Sequence, residues 1–152
     1  MNAPLYTTEI LRLAASLPPR TSLADPHGRG EKRSATCGSM IRTEVRLDGQ
    51  GCVAEIAQRV QACAFGQASA ALVQRFAVGR SAEDVEADRA ALAAWLGDHG
   101  EAPTGFAVLA PARAKTGRHG AMLLPFDALI AALETSLDLA RDPRAGSDEE
   151  KP

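Results

Sequence analysis

Aromatic side chains are scarce in this sequence, which has one tryptophan, one tyrosine and four phenylalanines among 152 residues. The hydrophobic fraction of 45% therefore comes mainly from alanine and branched aliphatic side chains. At this length they still form a proper core, because a domain of ~150 residues buries roughly 68–70% of the surface that its unfolded chain exposes. We expect one domain over residues 1–140, followed by a disordered tail over residues 141–152 that is too polar to pack.

An excess of charge of one sign is also missing, since 17 basic and 19 acidic residues leave a formal net charge of −2. A nucleic-acid-binding protein normally carries a basic face, so no nucleic-acid partner is expected. No apolar run approaches the ~18 residues that suggest a transmembrane helix, which excludes a membrane partner. The first residues lack the charged-then-apolar order of a secretory signal, and a cytoplasmic location is the resulting expectation.

Cysteine is rare as well, and Cys37, Cys52 and Cys63 form an odd set without a CxxC pair. Without an export signal, this pattern argues against a disulfide framework and against a self-evident zinc ribbon. The GxSxG motif of hydrolases and the glycine-rich loop followed by lysine of nucleotide-binding proteins are absent too. Hydrolase and nucleotide chemistry are therefore not supported.

Alternation of apolar and polar residues is the clearest local signal that is present. It predicts one strand over Met40–Leu47 and a second over Val53–Val60, joined by a turn over Asp48–Gly51. A third, edge strand is expected over Glu31–Ala35. Together these segments predict a small three-stranded antiparallel sheet.

Helical periodicity accounts for most of the remaining chain. Helices are predicted over Thr7–Leu17, from Cys63 to Gly79, from Ser81 to Gly97, and over Leu124–Ala140, with a brief extended stretch at Phe106–Leu109. The fold class is therefore α+β, with helices packed on one face of the sheet.

Two cysteines stand at the ends of predicted elements. Cys63 lies where a strand gives way to a helix, and the free N–H groups at a helix start favour an anionic sulfur. Cys37 comes just before the first hairpin strand, so the two could meet at one end of the fold. Alternatively, each is a small buried side chain, as free cysteine often is. Cys52 falls on the inward alternation of the second strand and is expected to turn toward the helices, whereas His119 precedes the last helix and could reach a shared site.

Taken in order, these features resemble the iron–sulfur cluster assembly scaffold family, which comprises the NifU N-terminal, IscU and SufU-like domains. The resemblance runs from about Tyr6 to Leu137. Its strongest part pairs Cys37-Gly38-Ser39 before the hairpin with Ala62-Cys63-Ala64-Phe65-Gly66 at the opening of a helix. The family has Cys-Gly-Asp as its first motif and Gly-Cys followed by small and hydroxyl residues as its second. Membership implies a helix-covered sheet with its cluster or metal site at one exposed end.

The sequence departs from the family pattern at two ligand positions. Ser39 stands where the family has an aspartate. The family's third cysteine comes just before the last helix, and the corresponding residue here is Gly120 or Ala121, neither of which binds metal. A histidine precedes that cysteine in some branches of the family, and His119 matches it. The implied site is therefore a degenerate one.

The resemblance implies a scaffold or carrier that binds iron or a labile iron–sulfur cluster through Cys37 and Cys63. His119 would be an auxiliary ligand, and zinc is a possible substitute for iron. Three ligands leave one position open, unless a cluster bridges two chains of a homodimer. The implied partners are a cysteine desulfurase and cluster-accepting apo-proteins.

Two other functions remain open at this point. The first is a metal-free interaction module of the same fold, which docks on and regulates a cysteine desulfurase or another assembly factor; Ser39 and the missing third cysteine favour it. The second is an enzymatic sulfur-transfer role for Cys63, which needs a cationic or acid–base neighbour such as His119 or Arg118. A non-enzymatic role is the expectation.

Overall fold

The computed structural model describes residues 6–35 and 38–141, and for residues 137–141 it describes the backbone alone. In chain order, the elements are α1 (Thr8–Ala15), β1 (Gly28–Arg33), β2 (Met40–Leu47), β3 (Val53–Gln61), α2 (Ala64–Phe76), α3 (Ala82–Leu96), 3₁₀ turns at Phe106–Ala112 and Thr116–Arg118, and α4 (His119–Arg141). The strands form one antiparallel sheet in the order β1-β2-β3. The predicted α+β fold with a three-stranded antiparallel sheet is confirmed.

Side-chain caps set the starts of two helices. Thr7 caps α1 by accepting a hydrogen bond from the Ile10 N–H at 3.2 Å. Ser81 and Asp84 form a capping box at α3, in which each side chain accepts from the other residue's N–H at 3.1 Å. These local hydrogen bonds explain why both starts could be predicted from sequence.

The strand register decides which connections lie together. Met40 is paired with Arg33 on one side and with Gln61 on the other. The β1–β2 connection and the end of β3 therefore lie at the same end of the sheet, which we call the Met40 end. The β2–β3 turn lies at the opposite end.

Helix α4 packs against the sheet with its backbone almost touching β1. A Cβ atom at Gly30 would lie 2.5 Å from both Ala128 O and Ala132 N, which no side chain could tolerate without a shift. Farther along the same helix, Leu124 and Ala128 bury Ile41 of the central strand. The glycine in β1 thus lets α4 cover the sheet at close range.

The other face of the sheet is partly covered by the segment between α1 and β1, where Glu44 of β2 is anchored. In the alternation of β2, Glu44 falls among the polar positions, but only 2% of it is exposed. Its carboxylate accepts hydrogen bonds from the Leu23 N–H at 2.8 Å and from Arg29 Nε at 2.7 Å. Burial alone would raise the pKa of Glu44, but these donors hold the pKa below its usual value.

Three predicted boundaries need correction. The edge strand runs over Gly28–Arg33 instead of Glu31–Ala35, because the glycines that weaken its strand signal are needed under α4. The stretch predicted as extended at Phe106–Leu109 is a 3₁₀ helix that follows Gly105. The last helix begins at His119 instead of Leu124, so Pro125 lies inside it.

Two predictions concern residues that the structure does not describe. Residues 142–152 of the predicted tail and Cys37 of the predicted site lie outside the described residues. None of the helices within the described part of the chain combines the length and apolarity that a bilayer crossing requires.

The close packing of α4 on β1 can be tested by adding one methyl group. We expect Gly30→Ala to lower the free energy of unfolding by roughly 1–3 kcal/mol, because the new Cβ forces the helix away from the sheet. Gly49→Ala is the matched control, since nothing lies within 4 Å of a Cβ at this turn position. Urea unfolding followed by circular dichroism measures both variants. Equal stabilities would contradict this description of the packing.

Candidate functional site

Three segments of the chain meet at the Met40 end of the sheet. The β1–β2 connection is closed there by a hydrogen bond from the Ser34 N–H to Ser39 O at 2.8 Å. Strand β3 ends at Gln61 and leads directly into α2. The start of α4 joins them through its contacts with the first turns of α2, described below. This end of the molecule therefore holds the helix starts at which Cys63 and His119 stand.

Cys63 is the N-cap residue of α2. Its backbone is extended, with φ −66° and ψ 171°, and its carbonyl accepts from the Gln67 N–H at 2.9 Å. The side chain makes no capping hydrogen bond. It is half-buried and packs against the edge of the main core. The sulfur is thus held at a helix start without being committed to a structural hydrogen bond.

His119 is the first residue of α4, and its ring orientation is set by a backbone carbonyl. Its Nε2 lies 2.8 Å from Arg113 O. Because a carbonyl oxygen only accepts, Nε2 carries the proton and donates, which leaves Nδ1 as the nitrogen able to bind a metal. This arrangement is typical of metal-ligating histidines, whose other ring nitrogen donates to a carbonyl or carboxylate.

The carbonyl that orients His119 is itself anchored on α3. Arg113 Nε donates to Trp95 O at 3.0 Å, and the guanidinium lies 4.7 Å from the centroid of the Trp95 ring. A further ion pair joins Arg113 to Asp98 at 3.0 Å. No pattern in the sequence indicated this role for Arg113, because it depends on contacts between segments that are distant along the chain.

The first turns of α2 and α4 are joined by a small-residue contact. Ser69, which is fully buried, donates from its Oγ to Met122 O at 2.6 Å. A Cβ at Gly66 would lie 3.2 Å from Ala121 O. Ala121 O lacks the ordinary helical hydrogen bond, because the residue four positions later is Pro125, which has no N–H. The small residues of α2 permit this close approach, but no local pattern identifies α4 as the partner helix.

This contact brings Cys63 and His119 to the same end of the molecule. Cys63 lies three residues before Gly66, and His119 lies two residues before Ala121. Since Gly66 meets Ala121, both side chains extend from the adjoining starts of α2 and α4. The structure therefore places Cys63 and His119 at the starts of two helices that are in contact.

The structure also distinguishes the two candidate positions for the family's third cysteine. Ala121 is only 2% exposed and faces Gly66 inside the helix contact. Gly120 is exposed, and nothing lies within 4 Å of a Cβ built on it. A ligand side chain would have room at Gly120 but not at Ala121. The missing third thiol thus corresponds best to Gly120.

The other two positions considered in the sequence, Ser39 and Cys52, are placed less favourably for binding a metal at this site. Ser39, at the place of the family's aspartate, is buried, with 4% of its surface exposed. Cys52 is not on the inward side of a strand as expected; it is half-buried in the turn before β3, where its N–H donates to the Asp48 carboxylate at 3.0 Å. That turn lies at the far end of β3 from Cys63.

Within residues 6–35 and 38–141, no three side chains of the types His, Cys, Asp and Glu are grouped closely enough to hold a metal ion. Cys63 and His119 offer two donor atoms, one sulfur and one nitrogen. A protein metal site needs about four ligands, so further donors have to come from Cys37, from a second molecule or from water.

No protein-family profile matches the sequence, and no curated protein matches it either. Solved structures do. The N-terminal part of a nitrogen-fixing NifU-like protein from Brucella abortus has a TM-score of 0.80 and is 31% identical, with 88% of this chain and 95% of that chain covered.

A second structure shares the fold at lower identity. It is a putative iron–sulfur cluster assembly scaffold protein for the SUF system from Fervidobacterium islandicum, with a TM-score of 0.75 and 18% identity over 85% of this chain and 96% of that one.

Removing the hydroxyl of Ser69 tests the contact that joins the two helix starts. We expect Ser69→Ala to lower the free energy of unfolding by roughly 1–2 kcal/mol, because Met122 O loses a buried donor. Thr135→Ala, which removes an exposed bond to Ala131 O on the same helix, is the control and should change stability by less than about 0.5 kcal/mol. Denaturant titration compares them, and a Ser69 variant as stable as the control would refute the role given to this bond.

Proposed function

Because this chain belongs to the NifU-like N-terminal family of iron–sulfur cluster assembly scaffolds, we propose that it binds iron or a labile iron–sulfur cluster as cargo. Cys37 and Cys63 provide the thiolates, and His119 serves as an auxiliary ligand. The observation that carries this proposal is the joint position of Cys63 and His119 at the adjoining starts of α2 and α4. Membership of the family is supported by the 31% identity that extends over 88% of the chain.

The chemistry of these donors suits iron. Thiolate and imidazole bind iron and zinc readily, whereas magnesium and calcium prefer oxygen ligands. An ordinary cluster is held by four cysteine thiolates, so two thiolates and one imidazole from one chain leave it incompletely held. The open position would be taken by water, by an exogenous thiol or by a second chain in a homodimer. Such a site favours transient carriage over permanent storage.

Sulfur would reach this site from a cysteine desulfurase. The Cys63 thiolate attacks the outer sulfur of a persulfide on the donor enzyme, the donor's S–S bond breaks, and its cysteine leaves as a thiolate. The product is a Cys63 persulfide, and no external oxidant or reductant is consumed. The assembled cluster would pass to apo-proteins. The protein is then a carrier and not an enzyme, and a cytoplasmic location remains our expectation for it.

The metal-free interaction module is the second candidate. It is favoured by the exposed Gly120 at the position of the third thiol and by the burial of Ser39 at the position of the aspartate. In this case the fold docks on a desulfurase or another assembly factor and regulates it without carrying cargo. Iron retention by the purified chain separates the two candidates.

Replacing single cysteines tests which of them bind the cargo. After anaerobic reconstitution with ferrous iron and sulfide, we expect Cys37→Ser and Cys63→Ser to retain iron at least about tenfold less tightly than the parent chain, because each loses a thiolate ligand. Cys52→Ser should match the parent, since Cys52 lies at the other end of β3. Visible absorption and an iron count after gel filtration provide the measurement. If the parent chain itself retains no iron, the metal-free module is the correct alternative.

Restoring the third thiol tests the geometry of the site. We expect Gly120→Cys to tighten iron retention by at least about tenfold, because it adds a thiolate next to His119 at the start of α4, the helix end that contacts α2. Gly49→Cys adds a thiol at the far end of the sheet, where a Cβ also meets nothing within 4 Å, and should have no effect. The same iron assay compares the two. Equal gains would mean that an added thiol anywhere suffices, which contradicts a shared site at Gly120.

A further inference from the structure

The sheet face opposite α4 carries an unusual concentration of arginine. On β2, Ile41, Thr43 and Val45 are buried on the α4 side. The residues between them point to the opposite face, and the strand register places their partners on β1 and β3 on that same face. We call this surface the open face. It holds five arginines and three glutamates: Arg29, Arg33, Arg42, Arg46, Arg59, Glu31, Glu44 and Glu55.

Most of these charges are paired within the face. Arg29 binds Glu44 at 2.7 Å, Arg46 lies 3.4 Å from Glu55, and Arg33 lies 3.6 Å from Glu31. Arg20, from the segment that crosses the sheet, also reaches Glu55 at 3.7 Å. These contacts use all three glutamates of the open face.

Arg42 and Arg59 remain without an ion pair among the described residues, although they are directly opposite each other on β2 and β3. Like charges in facing positions of neighbouring strands destabilise a sheet. In addition, Arg42 Nε is buried and has no hydrogen-bond partner in the part of the chain that the structure describes. Glu31 of β1 is opposite Arg42 on its other side and is paired with Arg33. With five arginines and three glutamates, the open face keeps an excess of positive charge on a chain whose formal net charge is −2.

The Arg42–Arg59 pair lies on the accessible part of the open face. Leu23, Ala24 and Asp25 of the crossing segment bind the face at Glu44 and Arg46, toward the β2–β3 turn. Arg59 is exposed. The pair is two residues from the Met40–Gln61 rung, or ~7 Å along the strands, and Gln61 is followed two residues later by Cys63.

We infer that the Arg42–Arg59 pair is a docking point for an acidic surface of the protein that donates sulfur to Cys63. Two guanidinium groups on facing strands provide forked donors that match carboxylates. A partner seated on the open face contacts the chain beside the Met40 end and leaves Cys63 accessible from that end. The inference rests on the proposed function, because it takes the sulfur donor, a cysteine desulfurase, as the occupant.

Reversing one charge separates docking from folding. In Arg59→Glu, the new carboxylate faces Arg42, so a repulsive cross-strand pair becomes an attractive one. We expect the midpoint of thermal unfolding to rise by about 1–4 °C. Binding to purified cysteine desulfurase of the same organism should nevertheless weaken at least about tenfold at low salt, because the positive charge of the pair is neutralised. Loss of binding in a more stable variant could not be attributed to misfolding.

Calorimetric titration of the full chain with the desulfurase measures this binding. Arg12→Glu is the matched control, since it reverses an exposed arginine on α1, away from the open face, and should bind like the parent. At 1 M salt, where charges are screened beyond ~3 Å, the parent should fall to the level of Arg59→Glu. The double variant Arg42→Lys/Arg59→Lys keeps both charges and should lose much less.

Two outcomes would overturn the inference: Arg59→Glu binds as tightly as the parent, or the parent does not bind the desulfurase at all. Neither outcome affects the iron-binding proposal, which the reconstitution assay tests separately. Conversely, docking that depends on Arg42 and Arg59 in a chain that retains no iron would support the inference and reject the cargo-binding function. The binding assay and the iron assay therefore distinguish failure of the docking inference from failure of the cargo-binding function.

Discussion

The close approach of the α4 backbone to two neighbours is the constraint on which the rest of this structure depends. On one side, α4 meets β1 at Gly30, where the absence of a side chain lets the two backbones come into contact. On the other side, its first turn meets Gly66 and Ser69 of α2. A helix held at this distance from both the sheet and α2 has a fixed start, and that start is His119.

The candidate site follows from this packing. Strand β3 passes into α2 at the Met40 end of the sheet, which places Cys63 there, and α4 brings His119 to the same end. The histidine is oriented by Arg113 O, so its free nitrogen is determined by the protein before any metal binds. At the exposed Gly120, the chain lacks the cysteine that the family has before its last helix. The elements around the candidate site are therefore fixed by packing although its ligand set is short, which is consistent with the transient carriage that we propose.

Local signals predicted the parts of the fold that local forces determine. The alternation over β2 and the capping residues of α3 depend on neighbours within a few positions, and those boundaries agree with the structure. The start of α4 could not be found this way, because Gly120 and Pro125 are poor helix residues. The turn between them is held by the contacts of Ala121 and Met122 with α2, which is distant along the chain. The burial of Glu44 and the contact of His119 with Arg113 likewise depend on segments far apart in sequence. The candidate ligands were proposed from the family resemblance, whereas the position of Cys63 and His119 at one end of the molecule required the fold.

The central claim is that Cys63, His119 and Cys37 act on one metal. X-ray absorption spectroscopy at the zinc edge of the zinc-loaded chain tests it most directly, because sulfur and nitrogen ligands lie at different distances. The account predicts two sulfur atoms at about 2.3 Å, together with at least one imidazole nitrogen at about 2.0–2.1 Å whose signal is lost in His119→Ala. A zinc ion surrounded only by nitrogen and oxygen, or a spectrum unchanged by Cys63→Ser, would contradict it.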